Sequence, residues 1–258
     1  MKKDFRNHKT TTSWHHVGKW YQETVGLTGH YYHKHVIIPG VLKLLSLKND
    51  SLLLDLACGQ GVLARHIPPT VYYQGIDAAS SLISYAQQQN KRSNHFFTLG
   101  DVTKPLLIKR KDFTHATIIL ALQNLENPEA VFANAKIHLI SGAKLVMVIN
   151  HPYFRIPRQS SWGIDEQNKL QYRRINRYLS PLKIPITTNP GKGKKSSVTW
   201  TFHYPLSSYS EFLYKNGFVI AKIEEWISDK ESVGEAARME NRGRNEFPLF
   251  MAILALKR

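Results

Sequence analysis

"LLLDLACGQG", Leu52 to Gly61, is the stretch on which the reading of the fold turns. It opens as a short apolar run carrying one acid, Asp55, and closes on two glycines. An apolar run of strand length that ends in a Gly-bearing turn reads as a buried parallel strand. Gly59 and Gly61 permit positive φ and close approach of backbone to a ligand. The residues that follow, "GVLARHI", read as a helix stopped by Pro68-Pro69, and a helix N-terminus offers free N–H donors to an anion. Many nucleotide-binding folds share this layout, so the turn alone is a weak signal.

The flanking pattern adds to it. "VYYQGI" reads as a second strand ending at Asp77, "SSLISYAQQQN" as a helix, and "HFFTLG" as a third strand ending at Asp101. "HATIILAL" gives a fourth strand, and "NPEAVFANAKIHLI" opens as a helix on Asn127-Pro128-Glu129. "SGAKLVMVIN" is a turn and a fifth strand. Strands alternating with helices predict an α/β, doubly wound parallel sheet. Later, "LSSYSEFLYKNG" reads as a helix, "FVIAKIEEWI" and "PLFMAILALKR" as two strands, and Ser228 to Glu246 as a charged loop between them. Those two strands predict an antiparallel pair at one edge. Before the core, "SWHHVGKWYQETV" and "HYYHKHVIIPGVLKLLSL" read as helical pieces, the first capped by Ser13 and the second kinked or split by Pro39-Gly40. Residues 151–198 break the alternation; a helix is expected over Asp165 to Tyr178 and a loop tip over Asn189 to Ser197.

Three acids, Asp55, Asp77 and Asp101, thus fall at the carboxyl ends of three successive strands. Asp77 can accept both hydroxyls of a ribose, and Asp101 can accept from an adenine amino group. A bound diphosphate would be repelled there, whereas a cationic sulfonium suits the site.

On these motifs the sequence resembles the class I S-adenosylmethionine-dependent methyltransferases, and within them the methyltransferase type-11 group, which includes ubiquinone- and menaquinone-biosynthesis enzymes. The resemblance covers residues 50–150 well and 200–258 loosely. It implies a Rossmann-like seven-stranded sheet whose last strand is antiparallel. It implies that Asp55, Ala57, Gly59 and Gly61 line the methionine end of the cofactor with Cys58 beside it, that Asp77 and Ala78 meet the ribose, and that Asp101 and Val102 meet adenine. Leu120, in the matching stretch at the end of the fourth strand, completes that set. Two departures stand out: Ser141-Gly142-Ala143 replaces Pro-Gly-Gly, and Asn124 stands where many relatives carry histidine.

The organisation expected is one domain over 1–258: an N-terminal helical cap (1–50), a core (51–150 and 205–258) and a substrate lid inserted after the fifth strand (151–204). The formal net charge of +16 is uneven: +5 over 1–50, +3 over 51–150, +8 over 151–204 and zero over 205–258. A basic cap and a basic lid point to an anionic partner. Aromatic, basic and amide residues near the expected reactive face are the candidates for substrate contact: Tyr31, His33, Gln123, Asn124, Tyr153, Arg155, Arg158, Trp162, Arg173 and Arg177. Arginine suits bidentate capture of carboxylate or phosphate. His151 and His203 are the candidate general bases, a neutral imidazole being able to take a proton near pH 7.

"NHPYF", Asn150 to Phe154, resembles the Asn-Pro-Pro-Tyr box of amino-group methyltransferases, but that box belongs after the fourth strand and this stretch follows the fifth. Its position marks the exit into the lid. The reaction expected is in-line methyl transfer to a small anionic, aromatic or polar metabolite; the alternatives are methylation of ribosomal or transfer RNA, and a non-catalytic cofactor-binding regulator or scaffold. The single cysteine argues against a disulfide framework and for a reducing, cytoplasmic setting. No run is long enough for a membrane span, no apolar leader is seen, and no His/Asp cluster has metal-ligand spacing.

Overall fold

The computed structural model describes residues 29–187 and 198–258. The expected helix after Ser13 and the tip Asn189 to Ser197 lie outside them. Five strands come first: β1 (Leu52–Leu56), β2 (Tyr72–Asp77), β3 (His95–Leu99), β4 (Phe113–Ile119) and β5 (Leu139–Asn150). The lid supplies β6 (Ser160–Asp165), β7 (Leu170–Ile175), β8 (Leu182–Thr187) and β9 (Val198–His203), and β10 (Phe218–Trp226) and β11 (Phe250–Lys257) close the chain. The helices are α1 (Ile38–Leu45), α2 (Ser80–Gln89), α3 (Pro128–His138), α4 (Leu206–Lys215) and α5 (Ala237–Glu246). Seven strands form one sheet in the order β10-β11-β5-β4-β1-β2-β3. β1 to β5 run parallel, and β11 lies antiparallel between β5 and β10, as expected.

Period-two alternation divides the core between the two faces. Leu54 and Leu56 of β1, Met147 and Ile149 of β5, and Met251 and Ile253 of β11 pack on one face with Phe132 of α3 and Leu213 of α4. Leu53, Val146, Val148 and Ala252 pack on the other with α1, Val62 and Tyr73. α3 starts as its sequence predicts: the Asn127 side chain accepts from the Ala130 N–H at 3.2 Å and Pro128 follows. In α1, Gly40 lets the Trp226 ring approach, since a Cβ there would lie 2.4 Å from it. Pro39 sits in the first turn of α1, after a π-helical turn over His33–Ile37, so the segment is irregular ahead of the proline rather than split at it.

Four sequence expectations need correction. "GVLARHI" forms only a 3-10 turn, Leu63–Arg65, because the left-handed Gly61 ahead of it and Pro68-Pro69 behind it leave too little chain for a helix. The helix expected over Asp165 to Tyr178 is instead the β6–β7 hairpin. Asp165 accepts from the Asn168 backbone at 3.0 Å and its side-chain amide at 2.9 Å, and Lys169 takes φ +50°, which closes a turn. The charged loop after Ser228 contains α5, packed so tightly on the hairpin that a Cβ on Gly243 would lie 2.9 Å from the Gln171 side chain. β5 begins at Leu139, and "SG" is an irregularity in its register rather than a turn before it.

Candidate active site

The loop after β1 is held by backbone geometry more than by a helix. Ala57, Gly59 and Gly61 adopt φ of +58°, +55° and +72°, and Leu120, at the end of the adjoining β4, adopts +51°. For Ala57 and Leu120 this conformation costs about 1 kcal/mol or more each, and such strain collects at functional sites. Glycine is required at 61 for a second reason: a Cβ would meet the Phe97 ring at 2.8 Å.

The three acids take different tasks. Asp77 accepts the Gly59 N–H at 2.9 Å and the Ala79 N–H at 2.8 Å, tying the first loop to the end of β2 next to Ala78. Burial raises its pKa against the pull of those N–H groups. A carboxylate has about four lone-pair directions, so acceptor capacity remains for a hydroxyl of a ligand. Asp101 accepts from the Thr103 N–H and hydroxyl at 2.9 and 2.7 Å, and Lys104 lies 3.7 Å away. Val102 beside it is buried, and its carbonyl accepts from Asn134 of α3 at 2.7 Å, which fixes the loop after β3. Asp55 is turned inward: Tyr73 donates to it at 2.6 Å and Thr117 at 2.8 Å. Burial pushes its carboxyl up to about 6, against those two hydrogen bonds. Burial likewise pushes the Cys58 thiol up; Cys58 is no ready nucleophile, and it packs where a Cβ on Gly75 would lie 2.8 Å from its sulfur.

The acids at the carboxyl ends of β2 and β3 suit a nucleoside, whereas Asp55, expected at the methionine end, is turned into the core and braces the loop instead; Asp77, Asp101 and the loop backbone fit S-adenosylmethionine. Asp77 and Asp101 would hold its ribose and adenine, with the backbone of Ala57 to Gly61 against the remainder. Among the described residues no group of three His, Cys, Asp or Glu could hold a metal ion, and no helix is long and apolar enough to cross a membrane.

The lid builds two compartments at the end of β5, sharing Asn150, Arg155, Ile156 and Pro157. The larger, about 420 Å³, is lined also by Phe154, Ser160, Trp162, Arg173 and the segment Phe247 to Leu249, and no acid among the described residues lines it. Arg173 stacks its guanidinium 4.8 Å from the Trp162 ring centre and donates to Ser160 at 2.8 Å and to the Phe154 carbonyl. Burial and repulsion from Arg155 hold its pKa below the usual arginine value. The smaller, about 60 Å³, takes in Gln123, His203, Tyr204 and Tyr209. Gln123 and Asn124 both donate to the Leu120 carbonyl, at 2.9 and 3.3 Å.

Five of the candidate substrate and base residues thus meet at these compartments: Gln123, Arg155, Trp162, Arg173 and His203. Tyr31 and His33 lie on the turn before α1. Tyr31 donates to Asp229 at 3.0 Å; His33 lies so close to Gly29 that a Cβ there would be 2.6 Å from it, and burial lowers its pKa to about 4. Arg158 and Arg177 are exposed and line neither compartment, and Tyr153 packs edge-on against Phe154 and Tyr178. Both His151 nitrogens are engaged. Nδ1 accepts the Tyr153 and Phe154 N–H groups at 3.2 Å each, so the proton sits on Nε2 and is donated to Glu225 at 2.7 Å. His203 donates from Nε2 to the Tyr178 carbonyl at 2.6 Å, leaving the Nδ1 lone pair, and burial lowers its pKa. Sequence reasoning missed Tyr73, Thr117, Asn134 and Phe247. Only Asn134 left a trace, as a polar residue on the apolar face of a helix.

Residues 54–145 match the sequence profile of a methyltransferase-domain family. Solved structures share the whole fold. An S-adenosylmethionine-dependent methyltransferase from Mesorhizobium loti superposes with a TM-score of 0.66 at 22% identity, over 85% of this chain and 96% of that one. One from Clostridium acetobutylicum gives 0.59 at 18%, over 95% and 98%. The structure of the Haloferax volcanii Trm112 methyltransferase activator with its partner gives 0.63 at 12%, over 93% and 95%. No curated protein matches the sequence. The chain therefore has the fold of these methyltransferases, and its residues 54–145 are similar to the methyltransferase-domain profile.

Proposed function

We propose that this enzyme transfers the methyl group of S-adenosylmethionine to a small anionic metabolite held under the lid. The observation that carries the reading is the 420 Å³ cleft, which presents Arg155 and Arg173 with Trp162 and Phe247 and has no acid among the described residues that line it. Two cations without a lining counter-charge favour a carboxylate or phosphate, and the flanking rings favour a planar body. The volume is that of a small-molecule site. Bound across the ends of β1 to β3, the cofactor supplies an electrophilic methyl group on a cationic sulfur. The chain's own residues do the rest: Asp77 and Asp101 hold the nucleoside, the two arginines orient the acceptor, and the lid excludes water. The single cysteine, with no second one to pair with in the sequence, fits a reducing cytoplasmic setting.

The test is a screen with methyl-labelled cofactor against metabolite extract and RNA, comparing the native enzyme with Asp77→Ala, Arg155→Ala and Arg173→Ala. Label enters a small acidic compound, and each substitution cuts incorporation at least about 10-fold. Label in the RNA fraction would install RNA as the substrate instead. Absence of cofactor binding by calorimetry would leave the non-catalytic scaffold reading.

A further inference from the structure

We infer that the small compartment beside Asn150 receives a hydroxyl or amino group of the substrate, with Gln123 and His203 as its acceptors and His203 as the group that takes its proton. The inference rests on the larger cleft being the seat of an anionic metabolite, and Arg155, common to both compartments, joins the two.

The first observation is an orphaned atom. Gln123 commits its amide nitrogen to the Leu120 carbonyl at 2.9 Å, which fixes the orientation of the side chain. Its Oε1 is buried and has no hydrogen-bond partner among the described residues. A buried acceptor left in this state is costly, and a donor brought by a ligand relieves it. The second is a locked tautomer. A carbonyl only accepts, so the 2.6 Å contact to Tyr178 puts the imidazole proton on Nε2 and leaves Nδ1 as a second acceptor on a residue that lines the same compartment. The third is size. About 60 Å³ is near twice the share of one water in the liquid, room for a single functional group and not for a ring.

The other polar groups around His203 agree with a neutral imidazole at rest. Arg155 is a cation, and Tyr204 donates its hydroxyl to the Glu126 carbonyl at 2.8 Å. Burial raises the Tyr209 phenol, and burial also lowers His203. In the proton step the O–H or N–H bond of the substrate breaks, its electron pair stays on the heteroatom, and an Nδ1–H bond forms. The imidazolium is then stabilised through Nε2–H by the Tyr178 carbonyl.

The experiment uses three probes on the whole chain: 4-hydroxybenzoate, 4-methoxybenzoate and benzoate, by calorimetry, with the His203 imidazole resonances followed in parallel. 4-Hydroxybenzoate binds about 10-fold more tightly than benzoate, 4-methoxybenzoate no more tightly than benzoate, and only the hydroxy compound moves the His203 signal. Gln123→Leu removes most of the hydroxyl preference while benzoate still binds. Equal binding of the three probes overturns the inference and leaves the anion cleft standing. Binding of none overturns both. A hydroxyl preference with an unmoved His203 signal overturns the part assigned to that residue.

Discussion

Asp55→Asn tests how the first motif is built. In the folded chain the Asp55 carboxyl is raised from an ordinary 3.8 to about 6, because burial outweighs the hydroxyls of Tyr73 and Thr117. A raised folded pKa means that the folded state holds the proton more tightly than the unfolded one. The contribution to stability is therefore fully present below pH 3.8 and is lost as pH rises through about 6. A difference of about two pKa units at 1.36 kcal/mol each makes the loss about 3 kcal/mol. Asparagine keeps the shape and carries no charge, and the two hydroxyls can rotate to suit an amide. Urea unfolding at intervals from pH 4 to 7.5 gives stability for both proteins. The stability of Asp55→Asn minus that of the native chain should climb by about 3 kcal/mol across this range, most of it between pH 4 and 6. The difference is the quantity to read, because His33, His95 and His115 slope the opposite way. Burial lowers each to about 4, so the native fold loses stability as acid protonates the unfolded imidazoles below pH 6.5. A flat difference curve, or one that falls with pH, would refute the reasoning.

Asp77→Ala removes the acceptor of two loop N–H groups together with the proposed ribose contact, and cofactor affinity by calorimetry should drop at least about 100-fold. Gly40→Ala drives a methyl into the Trp226 ring and should destabilise by about 1–3 kcal/mol in denaturant unfolding; unchanged stability would mean that the helix and ring move apart freely. His151→Phe keeps an aromatic ring, though a larger one, and loses the acceptor of two backbone N–H groups at the start of the 151–204 segment. Proteolysis should then cut residues 151–204 faster than in the native chain, with the sheet intact.

The sheet was legible wherever one residue type carried one local signal. The apolar runs of β1, β2, β4 and β5, the acids that end them, and the Asn127-Pro128 start of α3 all announce themselves within a few residues. The lid was not legible in this way. "SSWGIDEQNKLQYRRI" carries enough polar residues between its apolar ones to pass as a helix, and the hairpin wins because Asp165 and Asn168 close a turn and α5 covers one face. The same limit applied to the site. Asp55 was visible, but its partners were set by a register that places it between Gly75 and Thr117, with Tyr73 reaching across. The larger cleft joins Asn150, Trp162 and Phe247 from three separate stretches of chain, so it exists only after folding.

The two lid hairpins, β6–β7 and β8–β9, pair only within themselves and lend no strand to the seven-stranded sheet. The insertion begins and ends against elements that the core completes without it: β5, which leads into it, and α4, which follows it. Selection for a new acceptor can thus rewrite the arginines, the rings or the length of either hairpin while the β-ladder and the cofactor loops keep their register.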